Sequence, residues 1–394
     1  MLRRLVGICS GPHDCCHNNI VAAGDTLMLR LTLCLVGATL GLCGLFAATA
    51  LPARAQLQLQ AKGRSEGAFV FYVGGPTAPW EAKAKIFEQR YPGIKVSITG
   101  GFSNVLDKKI DQQLKDNKLE VDVAIFQTLQ DFVRWKAQDH LLNYKPQGFD
   151  AIDPSFKDPD GAFYGTMVIA MPYMVNTEHV SSADVPDSAL DFLKPQFRGK
   201  AVTPYPADDD ATLWLFHHVV QKYGWDWMDK YMLNKPNFIQ GHLGQQRSVA
   251  SGENTVAIDS IFNITEPMKR EGKPVASHFS TVDATPIWPL TGAIFKKAPH
   301  PNAARLFMRW LLEPEQQATT GTWSVRGDVP PPAGYKPIFS YKVVNDYRDF
   351  LTNETQLIEL RKRFEHYTGR SSTLAEFDRP SSRARVGQAR LARI

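Results

Sequence analysis

Residues 68–98 read AFVFYVGGPTAPWEAKAKIFEQRYPGIKVSI, and this stretch decides the fold class. Phe69–Val73 is a short apolar run that predicts a strand, and Gly74-Gly75-Pro76 turns the chain after it. A helix is predicted next, because apolar residues recur on one face at three- and four-residue spacing: Trp80, Ala84, Phe87 and Tyr91. Pro92-Gly93 stops the helix, and Ile94–Ile98 alternates as a strand does. The order strand, helix, strand predicts an α/β fold with a parallel sheet.

The same rhythm continues toward the C-terminus. Ser103 can cap a helix that runs to about Asn117, Val121–Phe126 reads as a buried strand, and a further helix is predicted near Leu129–Lys136. A repeated β-α-β pattern with short connections is typical of a doubly wound sheet.

The pattern changes at Tyr164–Asn176, and a second α/β block follows. Val168–Asn176 is one long apolar run, which predicts a single strand that crosses between two lobes at Pro172. Within that block, a strand is expected at about 201–203 and a helix at Leu213–Tyr223. A helix that ends at Gly252 and a strand before Ile258 are expected to follow. After Thr281 the chain returns, with a short strand at Gly292–Phe295, an amphipathic helix at 301–312 and one or two helices within 341–367.

The sequence therefore predicts an α/β protein of two doubly wound lobes joined by crossover strands. A length of 394 residues suits two lobes with a leader and a tail. The expected division is a leader at 1–55, lobe 1 at 66–172 and 284–335, lobe 2 at 173–283 and 336–368, and a basic disordered tail at 369–394.

Charge argues against nucleic-acid binding. The net charge is +5, but residues 1–55 carry +2 and residues 370–394 carry +4, so the body is near neutral at −1. A nucleic-acid-binding protein needs a basic stripe on its folded part. We therefore expect no nucleic-acid partner.

The cysteines lie in the first 43 residues, at positions 9, 15, 16, 34 and 43. Residues 28–55 combine a positive Arg30, an apolar run from Leu31 to Ala50 and the small-x-small sequence Ala53-Arg54-Ala55. This pattern predicts a cleavable signal peptide that begins at Met28, and hence a periplasmic protein without a thiol after cleavage. The alternative interpretation is a single membrane anchor, since twenty apolar residues can span a bilayer. The sequence does not reveal a role for residues 1–27.

Several segments resemble the family-1 extracellular solute-binding proteins of ABC importers, and in particular their ferric-iron-binding branch. The order and spacing agree over about 68–325. The segments that carry the resemblance are Phe87–Ile94, Leu190–Phe192, Phe197–Lys200, Arg247–Glu253, Lys297–Ala304 and Leu311–Gln317.

The resemblance implies a type II periplasmic-binding fold, a small-molecule solute held between two lobes, and a membrane permease and an ATPase as partners. It also implies that iron-binding members carry two adjacent tyrosines after the Ser-Gly-Glu helix. In this chain Phe262 and Asn263 occupy the corresponding positions. A phenyl ring cannot ligate iron, so we expect a small organic solute, no metal and no cofactor; a ferric-iron or iron-chelate binder is the alternative.

Ligands of open α/β sheets bind beyond the carboxyl ends of strands, near helix N-termini. This rule, with the pocket preference for aromatic rings, selects the candidate ligand-binding residues. They are Thr77, Ser103, Asn104, Gln127, Thr128, Tyr173, Asp208, Thr212, Arg247, Asp259, Phe262 and Trp288. Hydroxyls beside free helix N–H groups suit a carboxylate or phosphate, whereas Asp208 and its acidic neighbours suit a cation or a hydroxyl-rich solute. The charge of the solute therefore stays open.

Each candidate has a structural alternative. Ser103 can act as a helix cap, Asp208 as part of a solvated helix start, and Arg247 as one half of a surface salt bridge. No nucleophile elbow, Walker loop, dinucleotide fingerprint or zinc-protease motif occurs, so we expect no catalytic residues. A sensor that feeds a receptor, and an enzyme on the same fold, remain the other functional alternatives. Because lobe closure needs freedom, a monomer is expected.

Overall fold

The computed structural model describes residues 54–370, and the elements below belong to the compact unit that begins at Leu59. The predicted signal peptide and most of the basic tail lie outside the described residues. Within the described range, none of the helices is both long and apolar enough to cross a bilayer.

The first sheet is built on three parallel strands, β1 (Ala68–Gly74), β2 (Lys95–Gly101) and β3 (Val123–Phe126). β1 lies between the other two, and Phe71 pairs with Ile98 on one side and with Val123 on the other. Three helices follow these strands in turn: α1 (Ala78–Arg90), α2 (Ser103–Lys115) and α3 (Leu129–Ala137). The buried face of α1 is Trp80, Ala84 and Phe87, which confirms the spacing argument.

Two strands that run antiparallel to each other extend this sheet. They are β4 (Tyr164–Ala170) and, much later in the chain, β10 (Thr285–Ile294). β10 pairs with β3 through residues 291–294 and with β4 through residues 287–292. The short β11 (Val343–Val344) pairs with the start of β10.

The second sheet contains five short strands, in the order β7-β6-β8-β5-β9. Their bounds are β5 (Tyr173–Asn176), β6 (Ala201–Pro204), β7 (Asn237–Ile239), β8 (Val256–Ala257) and β9 (Val275–His278). β6 is parallel to both β7 and β8, whereas β5 runs antiparallel to β8 and β9. The helices of this part are α4 (Asp210–Tyr223), α5 (Trp225–Leu233), α6 (His242–Ala250) and α7 (Phe262–Arg270).

The C-terminal helices are α8 (Pro301–Leu311), α9 (Pro314–Gln317), α10 (Tyr347–Thr352) and α11 (Glu354–Thr368). α8 packs on the first sheet, where the ring of Phe307 lies 4.6 Å from that of Phe69 and 5.2 Å from that of Phe71. The contacts of Phe307 with these two rings thus hold α8 against β1.

The observed elements confirm the doubly wound α/β prediction and correct it in two places. The run Val168–Asn176 is not one strand: it joins the end of β4 to β5, which lie in different sheets, separated by Met171-Pro172. The strand predicted at Gly292–Phe295 begins earlier, at Thr285, because pairing with β4 and β3 keeps two prolines in an extended strand. Pro289 adjoins an irregularity of register at Leu290/Thr291, which is where a strand tolerates proline. The lobe boundaries given above stay predictions.

Candidate functional site

The carboxyl ends of four parallel strands, two from each sheet, border one cavity of about 390 Å³. After β2 and β3, residues 102–108 and 127–130, which include the first turns of α2 and α3, line one side. After β6 and β7, residues 204–210 and 240–241 line the other. Two arginines from the C-terminal part, Arg361 and Arg370, complete the lining. The chain thus builds its cavity where the strand-end rule for α/β sheets places ligands.

On the first-sheet side, the cavity meets the starts of α2 and α3. Neither helix has a side-chain cap. In α3 the N–H groups of Leu129 and Asp131 donate to the backbone carbonyls of Gln127 and Thr128, so the start of α2 is the more open of the two to an anion or to water. Ser103 is buried as the first residue of α2, and its hydroxyl lies so close to Gly74 that a side chain at 74 would collide with it. Its N-cap is Phe102, so Ser103 does not cap the helix as the sequence suggested.

Asp107 also lines this side, one turn into α2. Burial and the nearby Asp131 carboxylate raise the pKa of Asp107 to about 6. Its carboxyl group therefore gains a proton more readily than an exposed aspartate does.

On the second-sheet side, the three consecutive aspartates have separate partners. Asp209 caps α4, since its Oδ1 accepts hydrogen bonds of 3.0 Å from the N–H groups of Ala211 and Thr212. Asp210 forms an ion pair with Arg361 and accepts a 3.4 Å hydrogen bond from Gln130 Nε2. Because Gln130 belongs to α3, this last bond connects a helix of the first sheet to α4, a helix of the second sheet.

Asp208 lies 3.9 Å from Arg370 Nη1. The same guanidinium donates from Nε to Glu365, at 2.9 Å, near the end of α11. The acidic triplet is thus largely neutralised by helix capping and by arginines, and is not an open cation site.

Behind the aspartates at 208–210, here called the acidic wall, is a buried polar cluster. Thr212 Oγ1 donates to Asp259 Oδ2 at 2.7 Å, and Gln245 Nε2 donates to Asp259 Oδ1 at 2.5 Å. The ring of His242 lies between two carboxylates, with Nδ1 3.5 Å from Asp209 Oδ2 and Nε2 3.7 Å from Asp259 Oδ2.

Burial is the largest cause of the pKa shifts of Asp259 and His242 in this cluster. Desolvation raises the pKa of Asp259 well above its ordinary value, although the hydrogen bond from Thr212 opposes the shift. It lowers the pKa of His242, against the attraction of Asp209. Both shifts favour the neutral forms, as expected for ionisable groups removed from water.

Five of the residues chosen from the sequence line the cavity, and their contact with a solute stays a prediction. They are Ser103, Asn104, Gln127, Thr128 and Asp208. Two more, Thr212 and Asp259, lie behind the wall and are bonded to each other.

The other five lie outside the cavity lining. Thr77 Oγ1 donates to Glu81 at the start of α1, the Tyr173 hydroxyl donates to Asp283, and Arg247 is exposed on α6. Phe262 packs in an aromatic group, 4.5 Å from Trp323 and 4.8 Å from Tyr335 between ring centroids. Trp288 packs against Trp214 and Tyr347, at 6.2 and 5.2 Å.

Sequence reasoning missed several lining residues. Tyr205 and Gln240 directly follow β6 and β7, so the strand-end rule would have selected them had β7 been recognised and β6 extended by one residue. Lys108 and Asp107 lie one turn inside α2 and carry no such signal. Arg361 and Arg370 come from a distant part of the chain, and only tertiary packing brings them to the cavity.

Nothing within residues 54–370 resembles a metal centre: no three His, Cys, Asp or Glu side chains converge in a way that could hold an ion. Phe262, which the resemblance aligns with an iron-ligating tyrosine, is 1% exposed within its aromatic group.

Comparison with known proteins places the fold and the family. The sequence model described as "Bacterial extracellular solute-binding protein" matches residues 74–318, which is more than half of the chain. No curated protein sequence matches.

Among solved structures, the fold is similar to the periplasmic binding protein AfuA from Actinobacillus pleuropneumoniae, bound to exogenous fructose-6-phosphate. The TM-score is 0.65 at 20% identity, over 76% of this chain and 98% of that one. Iron-bound HitA from Pseudomonas aeruginosa matches with a TM-score of 0.63 at 18% identity, over 75% and 99%. FutA from Trichodesmium, in complex with iron and citrate, gives 0.58 at 18% identity over the same shares.

The two-sheet architecture, the cavity at the strand ends and the family match agree with one another. The chain belongs to the bacterial extracellular solute-binding protein family.

Proposed function

We propose that this protein is the exported substrate-binding component of an ABC importer, which captures a small organic solute in the strand-end cavity and delivers it to a membrane permease and its ATPase. The observation that carries the proposal is the cavity itself, because loops from both sheets line it and a solute there would contact both. A solute that bridges two lobes favours their closed arrangement, which is a signal a permease can recognise.

The lining supports an organic solute in preference to bare ferric iron. Tyr205 is the one tyrosine among the lining residues, and the described residues hold no group of three potential metal ligands. A volume of about 390 Å³ lies within the range of small-molecule sites. The uncapped start of α2 suits a carboxylate or phosphate on that solute. We include Ser103, Asn104, Gln127, Thr128 and Asp208 among the ligand contacts.

Periplasmic delivery through the signal peptide, a monomeric state and the absence of catalytic activity are parts of the same proposal. They rest on the family match and on the leader sequence. Freely closing lobes need no second copy of the chain.

A thermal-unfolding screen tests the proposal. Purified protein is heated with ferric iron, ferric citrate, sugar phosphates, small carboxylates, thiamine, polyamines and neutral sugars. A solute present at one hundred times its dissociation constant stabilises the fold by about 2.7 kcal/mol, a readily measured shift. We expect one organic solute to produce this shift, unaltered by a chelator. A shift with bare ferric iron would overturn the inference drawn from Phe262, and no shift with any solute would contradict the proposed function.

A further inference from the structure

A third part of the cavity lining, formed by Arg361 and Arg370, lies outside the residues that the family model matches. The matched region ends at residue 318, whereas Arg361 lies on α11 and Arg370 follows that helix. These arginines therefore lie beyond the matched region, and the cavity cannot be described from that region alone.

Arg361 is held in place from one side. One of its terminal nitrogens, Nη2, pairs with Asp210 Oδ1, and the side chain remains 34% exposed, against 16% for Asp210. The other carboxylate oxygen of Asp210, Oδ2, accepts a hydrogen bond from Gln130. A guanidinium has five N–H donors in a rigid planar fork, so a single carboxylate oxygen leaves most of them unused.

Two of the aspartates in the lining have partners other than Arg361. Asp209 is committed to capping α4, and Asp208 lies near the guanidinium of Arg370. Asp107, across the cavity, stays mostly ionised at neutral pH with a pKa that burial raises to about 6, and Lys108 beside it in the lining adds a second positive charge.

We propose that Arg361 is the specificity-determining residue of the cavity, and that it selects a solute bearing a phosphate or carboxylate group. The inference rests on the proposed function and deepens it. Asp210 and Gln130 act as positioning residues: they orient the guanidinium so that its remaining N–H donors face the solute's anionic group. A planar fork matches two oxygens of a phosphate or carboxylate, which gives both charge and geometric selection.

Paired probes test the charge selection. Unfolding midpoints are measured at constant ionic strength with inorganic phosphate, citrate, glucose 6-phosphate and uncharged glucose. At least one anionic probe is expected to stabilise the wild-type protein in a saturable manner, while glucose is not. No saturable stabilisation by any of these anions, or binding of a neutral or cationic solute alone, would overturn the inference; the second result would leave the proposed function intact.

Substitutions of single arginines test whether Arg361 is the residue that binds the anionic group. Arg361→Ala is expected to weaken the affinity for the anionic probe roughly 10- to 100-fold, as for loss of hydrogen bonds to a charged group. Arg361→Lys retains the charge without the fork and should lose less. Arg348→Ala removes the same charge outside the cavity lining, from a half-exposed side chain on α10, and should bind as the wild type does. Equal affinity of the Arg361→Ala and Arg348→Ala proteins would overturn the assignment. Far-UV circular dichroism of each variant without ligand separates lost binding from lost folding.

Discussion

At the scale of single residues, the polar cluster behind the acidic wall determines how the protein responds to pH. His242 lies between Asp209 and Asp259, and burial lowers its pKa in spite of the nearby Asp209 carboxylate. In the unfolded chain the same imidazole titrates near its ordinary pKa of about 6.5. Below that pH the unfolded chain therefore binds a proton that the folded protein does not, and stability falls as the pH is lowered.

We predict that His242→Asn removes this part of the acid sensitivity. The wild-type free energy of unfolding should fall from pH 7.5 to pH 5.5 more steeply than that of the variant, by at most about 1.4 kcal/mol per pH unit. Urea unfolding at several pH values measures both curves. Asp259 contributes with the opposite sign, since its raised pKa makes the folded state hold a proton that is lost as the pH rises. His366→Asn, at an exposed site on α11, is the control and should follow the wild type. Parallel curves for His242→Asn and the wild type would contradict the prediction.

At the scale of elements, periodicity predicts those helices that bury one face, whereas β3, which is buried at every residue, is recognised as a short apolar run. The residues that set the pattern of α1 are the buried ones. Periodicity failed where tertiary contacts decide. It could not divide 168–176 between two sheets, and it underestimated the length of β10, whose prolines argue locally against a strand.

The residues of the candidate site divide in the same way, into those with a local sequence signal and those that only tertiary packing brings to the cavity. Strand ends can be located from local sequence, and with them Ser103, Gln127 and Asp208 of the lining. Residues that reach the cavity through packing, such as Arg361, have no local signal. Thr212 and Asp259 illustrate the reverse case: they follow strand ends, yet they bond to each other behind the wall.

Glu66 shows how a distant residue completes an element. Helix α8 has no side-chain cap from its own N-cap residue, His300. The Glu66 carboxylate instead accepts hydrogen bonds from the N–H groups of Asn302, at 3.0 and 3.1 Å, and of Ala303, at 2.7 Å. It thereby supplies both the acceptor and the negative charge that a helix N-terminus favours.

We predict that Glu66→Ala lowers the free energy of unfolding by about 1–2 kcal/mol, a typical value for loss of a helix cap. Solute affinity should be unchanged, because Glu66 is outside the cavity lining. Glu66→Gln keeps the acceptor without the charge and should lose less. Urea unfolding and binding of the solute found in the screen measure the two effects. An unchanged urea midpoint for Glu66→Ala would show that the contact does not act as a cap.

At the scale of the whole molecule, the two sheets share more than their crossover segments. Trp214 on α4 packs against Trp288 on β10 of the first sheet, with Tyr347 of α10 in contact with both rings. All three side chains are almost fully buried. Since a buried aromatic contact stabilises only when both partners are folded, this group couples the folding of the two sheets.

We predict that Trp214→Ala both destabilises the protein, by about 3–5 kcal/mol, and uncouples the sheets. Hydrogen exchange of β1–β3 and of β6–β8 during urea unfolding should occur together in the wild type and separately in the variant. Trp135→Ala is the matched control: this equally buried tryptophan contacts Phe126, Phe132 and Phe295, all on the first-sheet side. Its loss should lower stability while the two sheets still exchange together. If both variants unfold as one unit, the crossover segments and the remaining aromatic contacts, among them those of Phe262 with Trp323, are sufficient for coupling. The Trp214 group would then act only in local packing.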